Sequence, residues 1–312
     1  MNHEKFMNND KFKNIIKYLS KNKYLYFLIT PVLLWYTIFA YGPMYGIIMA
    51  FQDYSFKLGY FKSKFVGFKH FIDLFSDTYF LNAFLNTWII NIMRLFIIFP
   101  SPIIFAILLN EIFNSKFKKI VQTITYLPHF ISWVILSGII VSILDRDTGV
   151  LNVLLNNLGL RKVNFLTEEK YIRQIIIITD IWKEIGWSSI IYLASIVSIN
   201  IDLYESAYID GCGRFRAIYY ITIPCIINTI IVMLLLFVGR IMTLGFEQIY
   251  NLYNPSVYKV VDILDTYIVR NLQENPNLSR LAAAGLIKSV IGLAMLVIVN
   301  KVVKLLGKEG IY

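Results

Sequence analysis

Six long apolar runs dominate the chain, and polar segments separate them. A helix that crosses the hydrocarbon core of a bilayer needs about 20 predominantly apolar residues. The runs predict membrane-spanning helices at about residues 25–50, 80–110, 120–144, 173–199, 222–245 and 281–303. The pattern therefore predicts an all-α integral membrane protein, with a polar N-terminal tail over residues 1–23 and one membrane domain over residues 24–312.

Charged residues are distributed unequally between the two faces that six spans define. One face, with both termini, comprises residues 1–23, 111–120, 200–222 and 301–312, and the other comprises residues 51–79, 145–172 and 246–280. The first face carries 14 Lys and Arg against 7 acids, whereas the second carries 11 of each. Because cytoplasmic loops retain Lys and Arg, the first face is predicted to be cytoplasmic. The net charge of +10 then indicates orientation and contact with anionic membrane lipid rather than with nucleic acid.

The composition agrees with lipid as the main solvent. Of the 312 residues, 57% are hydrophobic and 16% are charged. A soluble domain keeps about a quarter of its residues charged, so this composition excludes most soluble folds and intrinsic disorder. The two cysteines, Cys212 and Cys225, are too few for a disulfide scaffold, and their position beside a cytoplasmic segment predicts reduced thiols.

The predicted cytoplasmic connection between the fourth and fifth spans, Ile201 to Pro224, is unusually long. A loop that only joins two helices needs about 2 to 8 residues, and this connection has some two dozen. Apolar residues recur at helical spacing in its first half, Gly211 and Gly213 interrupt the pattern, and the pattern resumes at Arg214. The connection is therefore predicted to form a helix, a glycine turn and a second helix outside the bilayer, where it docks a partner.

This segment resembles the EAA loop of the membrane subunits of ABC importers. The residues that carry the resemblance are Glu205, Ser206, Ala207, Asp210, Gly211, Ile221 and Pro224. The run Ile-Asp-Gly-Cys at 209–212 is similar to the form typical of carbohydrate importers. Ser206, Cys212 and Ile223 replace the usual alanine, alanine and leucine, and these exchanges between small or apolar residues leave the loop assignment standing.

The resemblance covers nearly the whole chain after the basic tail, and it is to the LplB-like oligosaccharide permeases of the maltose-permease superfamily. The further residues that carry it are Trp182, Gly186, Tyr192–Ala194, Gly245–Gln248, Asn254, Pro255, Asp265–Tyr267 and Gly310–Tyr312. It implies a type I ABC importer permease fold in a bacterial plasma membrane. It also implies a carbohydrate substrate, a second homologous permease, an extracellular solute-binding lipoprotein, and a cytoplasmic ATPase dimer that holds ATP and magnesium.

The resemblance further implies that residues 200–224 are the coupling loop, whose first helix sits in a cleft of the ATPase. The residues expected to contribute are Tyr204, Glu205, Ser206, Ala207, Tyr208, Asp210, Gly211, Phe215 and Pro224. A carboxylate suits a basic group of the ATPase, aromatic rings suit an interface, and glycine permits the turn. The alternative is a surface helix packed on the protein's own spans.

Polar and charged residues inside the predicted spans are candidates for a translocation path. They are Asn86, Asn91, Arg94, Asp180, Lys183, Glu184, Trp187 and Arg240. An intramembrane charge is costly, so it marks either a path or an internal pair. Helical spacing puts Asp180, Lys183, Glu184 and Trp187 on one face. This face either lines a path for hydroxyl-rich sugars or packs inside the bundle with Lys183 neutralising its two acidic neighbours.

The sequence offers no catalytic or cofactor site. No glycine-rich turn of P-loop spacing precedes a Lys and a Ser or Thr, so ATP is expected on another subunit. His3, His70 and His129 are widely separated, with no paired acid on the same helical face, so no metal site is expected. An ion-coupled secondary transporter and a membrane-embedded enzyme remain as alternatives, although neither internal repeats nor a convergent catalytic set is evident.

Overall fold

The computed structural model describes residue 18, residues 21–274, residues 276–305 and residue 307, and it is almost entirely helical. Four helices are long and apolar enough to cross a membrane, namely Lys23–Phe51, Thr78–Asn110, Arg214–Arg240 and Leu278–Leu305. Two bent pairs pass the same test together, Ser115–Phe130 with Trp133–Leu144 and Glu169–Val197 with Ile201–Ile209. Counting each pair as one span gives the six predicted spans. Most of the basic tail and the C-terminal Gly310–Tyr312 lie outside the described residues.

The individual elements are mostly helices of modest length. The α-helices are Lys23–Tyr36, Gly59–Lys62, Lys69–Phe75, Thr78–Met93, Ser101–Asn110, Ser115–Tyr126, Trp133–Leu144, Val150–Asn157, Glu169–Val197, Ile201–Ile209, Arg214–Ala217, Ile223–Arg240, Phe246–Leu252, Tyr258–Val261, Leu264–Glu274 and Leu278–Leu305. Three π-helical turns, Thr37–Tyr41, Arg94–Ile98 and Ile218–Thr222, and three 3₁₀ segments, Gly42–Phe51, Leu127–Phe130 and Pro255–Val257, interrupt or extend them. A two-residue antiparallel pair joins Gln52 to Phe65 and Asp53 to Lys64.

Proline accounts for the irregular turn in the second span. Pro102 has no N–H to donate to the carbonyl of Ile98, four residues earlier. The hydroxyl of Ser101 donates to that carbonyl instead, at 2.8 Å. The π-helical turn Arg94–Ile98 directly precedes this point. A side-chain hydroxyl thus satisfies the freed carbonyl within the membrane, which keeps Thr78–Asn110 usable as one span.

The third span is broken, whereas the hydrophobic pattern predicts one continuous helix over 120–144. Its two halves, Ser115–Phe130 and Trp133–Leu144, meet at 107°. Pro128 lies in the 3₁₀ segment before the break, and the hydroxyl of Ser132 caps the second half by accepting from the N–H of Ile135 at 3.4 Å. Apolarity alone carries no information on this bend, which proline and a capping residue introduce.

The second helix of the coupling loop also departs from the prediction. It was expected to be a separate helix of the connection, but Arg214–Arg240 forms one 27-residue helical stretch that continues into the fifth span. The π-helical turn Ile218–Thr222 lies directly before Pro224 and accommodates it without ending the helix. The coupling loop therefore has only one helix of its own, Ile201–Ile209.

Small residues hold the spans close together. Ala83 of the second span and Ala283 and Ala284 of the sixth are fully buried in one cluster. A Cβ atom at Gly186 in the fourth span would lie 2.2 Å from the carbonyl oxygen of Thr125 in the third. In a bilayer, helices associate through such close packing because lipid removes the hydrophobic driving force between them. The sequence thus fixes the contact between the third and fourth spans by the absence of a side chain.

Candidate functional site

Arg94 forms the centre of a buried polar cluster that joins the second span, the fourth span and the segment that follows the helix Ile223–Arg240. This segment, residues 241–277, is called the outer loop because residues 246–280 are predicted to lie on the outer face. Its side chain is 1% exposed. The guanidinium donates from Nε to Asp180 Oδ2 at 3.1 Å, from Nη1 to the carbonyl of Leu244 at 2.8 Å and from Nη2 to Gln248 Oε1 at 2.9 Å. A buried charge is tolerated when it is paired and hydrogen-bonded in this way.

Gln248 and Gly245 complete this Arg94 cluster from the outer loop. The amide nitrogen of Gln248 donates to the carbonyl of Ile176 at 2.7 Å and to the hydroxyl of Thr179 at 2.9 Å. Gly245 has φ +77°, and a Cβ atom there would lie 1.8 Å from Arg94 Nη2. The cluster therefore fixes the short helix Phe246–Leu252 to the bundle, and the predicted path residues Arg94 and Asp180 bond to each other.

Within the described residues Lys183 forms no ion pair with its two acidic neighbours, the contact that one of the two interpretations of the fourth span predicts. Its ammonium is buried and donates to the carbonyls of Pro128, His129 and Ile131 at 3.2, 2.7 and 2.5 Å. It also lies 5.5 Å from the ring centre of Trp133. These carbonyls belong to the break in the third span, so Lys183 satisfies the backbone groups that the bend leaves free.

Glu184 and Trp187 meet His129 at the partly exposed surface of the same region. His129 Nδ1 lies 2.9 Å from Glu184 Oε2. The rings of His129 and Trp187 are stacked, with centres 4.6 Å apart and planes 5° from parallel. The Trp187 side chain remains 43% exposed. The sequence analysis considered only acids on the same helical face, whereas the acid that pairs with His129 lies on another span, 55 positions away.

The predicted path residues of the second span are also bonded internally. Asn86 is buried, donates to the carbonyl of Lys259 at 3.0 Å and accepts from Arg173 Nη2 at 2.8 Å. Asn91 is buried with its amide nitrogen 4.0 Å from the sulfur of Met242. The structure thus brings Asn86 against the outer loop and Asn91 against the end of the fifth span.

A groove of about 480 Å³ opens between the fourth and fifth spans. Its lining residues are Ile191, Ser195, Asn228, Thr229, Val232 and Met233. The hydroxyls of Ser195 and Thr229 bond to each other at 2.9 Å. Arg240, the last predicted path residue, is exposed at the end of the helix Ile223–Arg240. Sequence reasoning missed Ser195 and Thr229, because one hydroxyl in an apolar run is an ordinary feature of a membrane helix.

The helix Ile201–Ile209 of the coupling loop ends in a glycine cap. Gly211 has φ +77°. Its N–H donates to the carbonyl of Tyr208 at 3.1 Å, and the N–H of Cys212 donates to the carbonyl of Ala207 at 2.8 Å. This pair of bonds around a left-handed residue is the Schellman motif, in which glycine avoids a steric penalty. The predicted glycine turn is therefore confirmed in its geometry.

Most predicted coupling residues lie on the surface of this loop. Glu205, Ser206, Tyr208, Asp210, Gly211, Phe215 and Pro224 are exposed, and Ala207 is half-buried. Tyr204 differs, because its hydroxyl lies 2.9 Å from that of Thr222 on the next helix and burial raises the pKa of its phenol. Ile209, 86% exposed, and Phe215, 89% exposed, are large apolar side chains that the described chain leaves uncovered. The sequence analysis did not include Ile209 among the coupling residues, although it belongs to the run Ile-Asp-Gly-Cys at 209–212 that carries the resemblance.

A second contact ties the coupling loop to the connection between the second and third spans. The guanidinium carbon of Arg214 lies 5.0 Å from the ring centre of Phe113. Phe113 itself is exposed, just before the helix Ser115–Tyr126. A cation over an aromatic ring is attracted by the ring quadrupole. The loop is thus held at Tyr204 and Arg214, while its outer surface remains open.

The coupling loop and the six-span bundle agree with the family that the sequence matches. Residues 74–308 match the family described as binding-protein-dependent transport system inner membrane component. The chain belongs to this family. It is therefore a transport subunit of the ABC class, a permease that spans the membrane, and the family does not support the alternative of an ion-coupled secondary transporter.

Relatives of known designation cover nearly the whole permease. It is 42% identical over 294 residues to the polygalacturonan/rhamnogalacturonan transport system permease protein YteP of Bacillus subtilis, which covers 94% of this chain and 92% of that one. It is 40% identical to Protein LplB of the same organism, with the same coverage. The expected resemblance to LplB-like permeases is confirmed.

Solved structures establish the fold of the permease. A chain of a bacterial alginate ABC transporter, in complex with an alginate pentasaccharide-bound periplasmic protein, superposes with a TM-score of 0.88 and 40% identity, covering 95% of this chain and 99% of that one. A chain of a bacterial ABC transporter involved in the import of the acidic polysaccharide alginate gives 0.87 and 40%, over 93% and 98%. The type I ABC importer permease fold is therefore confirmed.

Proposed function

We propose that this permease forms one half of the translocation path of an ATP-driven carbohydrate importer, with an oligosaccharide as its substrate. The observation that carries the proposal is Trp187. It presents an exposed ring inside a membrane-spanning helix, with the carboxylate of Glu184 beside it and the ring of His129 stacked behind it. An aromatic face with adjacent hydrogen-bonding groups suits the apolar face and the hydroxyls of a sugar ring.

The second half of the path comes from a homologous permease in this proposal. The first span, Lys23–Phe51, supports it, because none of its most apolar 18-residue stretch is buried within the described chain. Such a surface is covered by lipid or by another protein in a membrane. An extracellular solute-binding lipoprotein delivers the sugar, as the family description of binding-protein-dependent transport suggests.

Energy comes from a separate cytoplasmic ATPase dimer, which holds the ATP and magnesium. The exposed surface of the coupling loop, with Glu205, Ile209 and Phe215, is its proposed docking site. The apolar side chains supply area that docking removes from water. Glu205 supplies a carboxylate for a basic group of the ATPase. Movement of the docked helix then reaches the fifth span through Arg214–Arg240, since that stretch is continuous.

We expect that only one of the two exposed tryptophans of the fourth span is needed for uptake of the sugar. Trp182 and Trp187 are 45% and 43% exposed, but five residues of helix turn them about 140° apart. Trp187→Ala should lower uptake of labelled oligosaccharide by the complete transporter tenfold or more, since a ring-stacking contact is lost. Trp182→Ala is the matched control. Equal uptake by both variants and the wild type would contradict the proposed role of Trp187.

We propose that the coupling loop and both termini are cytoplasmic, in the plasma membrane of a bacterium. Cys212 is half-buried and Cys225 is exposed, so Cys225 is first replaced by serine. A membrane-impermeant thiol reagent should then label Cys212 in inverted vesicles and leave it unlabelled in intact cells. Labelling of Cys212 in intact cells would contradict the proposed orientation and show that the coupling loop faces outward.

A further inference from the structure

Of the charged residues predicted to line the path, Arg240 alone has no side-chain hydrogen-bond or ion-pair partner in the described part of the chain. Arg94 bonds to Asp180, Lys183 bonds to three carbonyls, and Glu184 bonds to His129. Throughout the described residues, no hydrogen bond or ion pair involves the guanidinium of Arg240, and its side chain is exposed. A cation in a membrane-spanning segment normally pairs with an anionic or carbonyl group. Asp180 and Glu184 already have partners, so the partner of Arg240 is to be sought outside the described chain.

The position of Arg240 relative to the groove follows from the register of the fourth and fifth spans. These spans run in opposite directions, and the bond between Ser195 and Thr229 fixes their alignment at 2.9 Å. Eleven residues lead from Ser195 back to Glu184, and eleven lead from Thr229 on to Arg240. At 1.5 Å per residue both steps rise about 16 Å. Arg240 therefore lies at about the depth of Glu184.

Arg240 also lies on the groove-lining face of its own helix. Thr229 and Met233 line the groove, and Leu236 and Arg240 follow them at positions seven and eleven residues after Thr229. Offsets of four, seven and eleven residues return to one helical face. On the fourth span, Ser195, Ile191 and Glu184 follow the same spacing. Followed along the fourth span, the groove-lining face leads to Glu184, three residues before Trp187. Followed along the fifth span, it leads to Arg240.

The chemistry of arginine selects one class of ligand for this position. A guanidinium presents a planar fork of donors that matches a carboxylate and keeps its charge at any physiological pH. A neutral sugar offers hydroxyls, which amide and hydroxyl side chains bind without the cost of a membrane charge. A sugar that carries a carboxylate matches the charge and the donor geometry of the Arg240 guanidinium, whereas a neutral sugar does not.

We propose that Arg240 binds a carboxylate of the transported oligosaccharide, so that the substrates are uronate-containing oligosaccharides. This inference rests on the proposed carbohydrate function and specifies its substrate class. It agrees with the substrates named for two relatives, a permease for polygalacturonan/rhamnogalacturonan and a transporter for the acidic polysaccharide alginate. Other possible partners of Arg240 are an outer-leaflet phosphate, an acid of the second permease, and the carbonyl end of its own helix.

The test uses the complete transporter, reconstituted in liposomes with its binding protein and ATPase. Arg240→Gln and Arg240→Lys are compared with Arg161→Gln, an exposed arginine of an outer loop. Uptake of trigalacturonate and of its uncharged counterpart galactotriose is measured, together with the basal ATPase rate and the melting temperature of the complex. Arg240→Gln should lower trigalacturonate uptake tenfold or more, as loss of a charge-assisted bond implies. Arg240→Lys should retain part of it, and the basal ATPase rate and melting temperature should not change.

Several results would overturn this inference. Unchanged trigalacturonate uptake by Arg240→Gln would do so. An equal loss for galactotriose, or a fall in melting temperature or basal ATPase, would assign Arg240 to lipid, to the second permease or to its own helix end. Uptake of galactotriose but not of trigalacturonate by the wild type would also overturn it while leaving the carbohydrate function intact. Failure of the wild type to take up any oligosaccharide would instead refute the proposed function.

Discussion

Gly211→Pro should abolish ATP-driven uptake while the permease still inserts into the membrane. Proline holds φ near −65°, whereas Gly211 has φ +77°. The substitution also removes the N–H that donates to the carbonyl of Tyr208. Both bonds of the helix cap are then lost, and the helix Ile201–Ile209 can no longer hold its angle to the fifth span. The expected cost to the loop is roughly 3 kcal/mol or more.

The measurement is co-purification of the ATPase with the permease, followed by uptake in liposomes. Gly213→Ala is the matched control, because Gly213 has φ −77° and no atom lies within 4 Å of an added Cβ. Gly213→Ala should bind the ATPase and transport normally. Full ATPase stoichiometry and full transport by Gly211→Pro would show that residues 200–224 are not the coupling element.

Charge reversal at Glu205 probes the same interface without disturbing the turn. Glu205 is exposed, and no hydrogen bond within the described chain uses its carboxylate. Glu205→Arg should therefore leave the melting temperature of the permease unchanged but weaken ATPase binding tenfold or more, as expected for like charges at an interface. Glu247→Arg, an exposed acid of the outer loop, is the control and should bind the ATPase normally.

Arg94→Leu should cause the largest loss of stability of any single substitution discussed above. It leaves Asp180 as a largely buried carboxylate without its cation and removes the donors to Leu244 and Gln248. Breaking one side of a buried pair costs roughly 3–5 kcal/mol. The free energy of unfolding, measured in mixed detergent micelles, should fall by about that amount. Arg161→Leu, in an exposed loop, should leave it unchanged.

Two further variants test whether the Arg94 cluster is the cause. Arg94→Leu combined with Asp180→Leu removes both charges and should recover part of the loss, although the side-chain oxygen of Gln248 and the carbonyl of Leu244 lose their donors. Gly245→Ala should destabilise the outer loop, because the new Cβ would lie 1.8 Å from Arg94 Nη2 at a positive φ. No recovery in the double variant, or a stability of Arg94→Leu equal to that of the wild type, would contradict the assigned role of the Arg94 cluster.

The sequence predicted the features that depend on local composition. Runs of about 20 apolar residues specify the spans because the bilayer thickness is fixed. The Gly211 turn was also predictable, since only glycine adopts a left-handed conformation without a steric penalty at the end of a helix. The resemblance to the EAA loop also located the candidate coupling surface, because the residues of that surface are close together in the chain.

Only the tertiary structure decided which polar groups meet. Arg94 bonds to Asp180 across 86 positions, and His129 bonds to Glu184 across 55. Helical spacing within the fourth span favoured pairing of Lys183 with its neighbours, but Lys183 bonds to the carbonyls of the broken third span. That break coincides with Pro128 and with the helix cap formed by Ser132, and the hydropathy pattern predicts neither. Local spacing specifies which side chains share a helical face, but packing between spans sets which groups of the other spans each face meets.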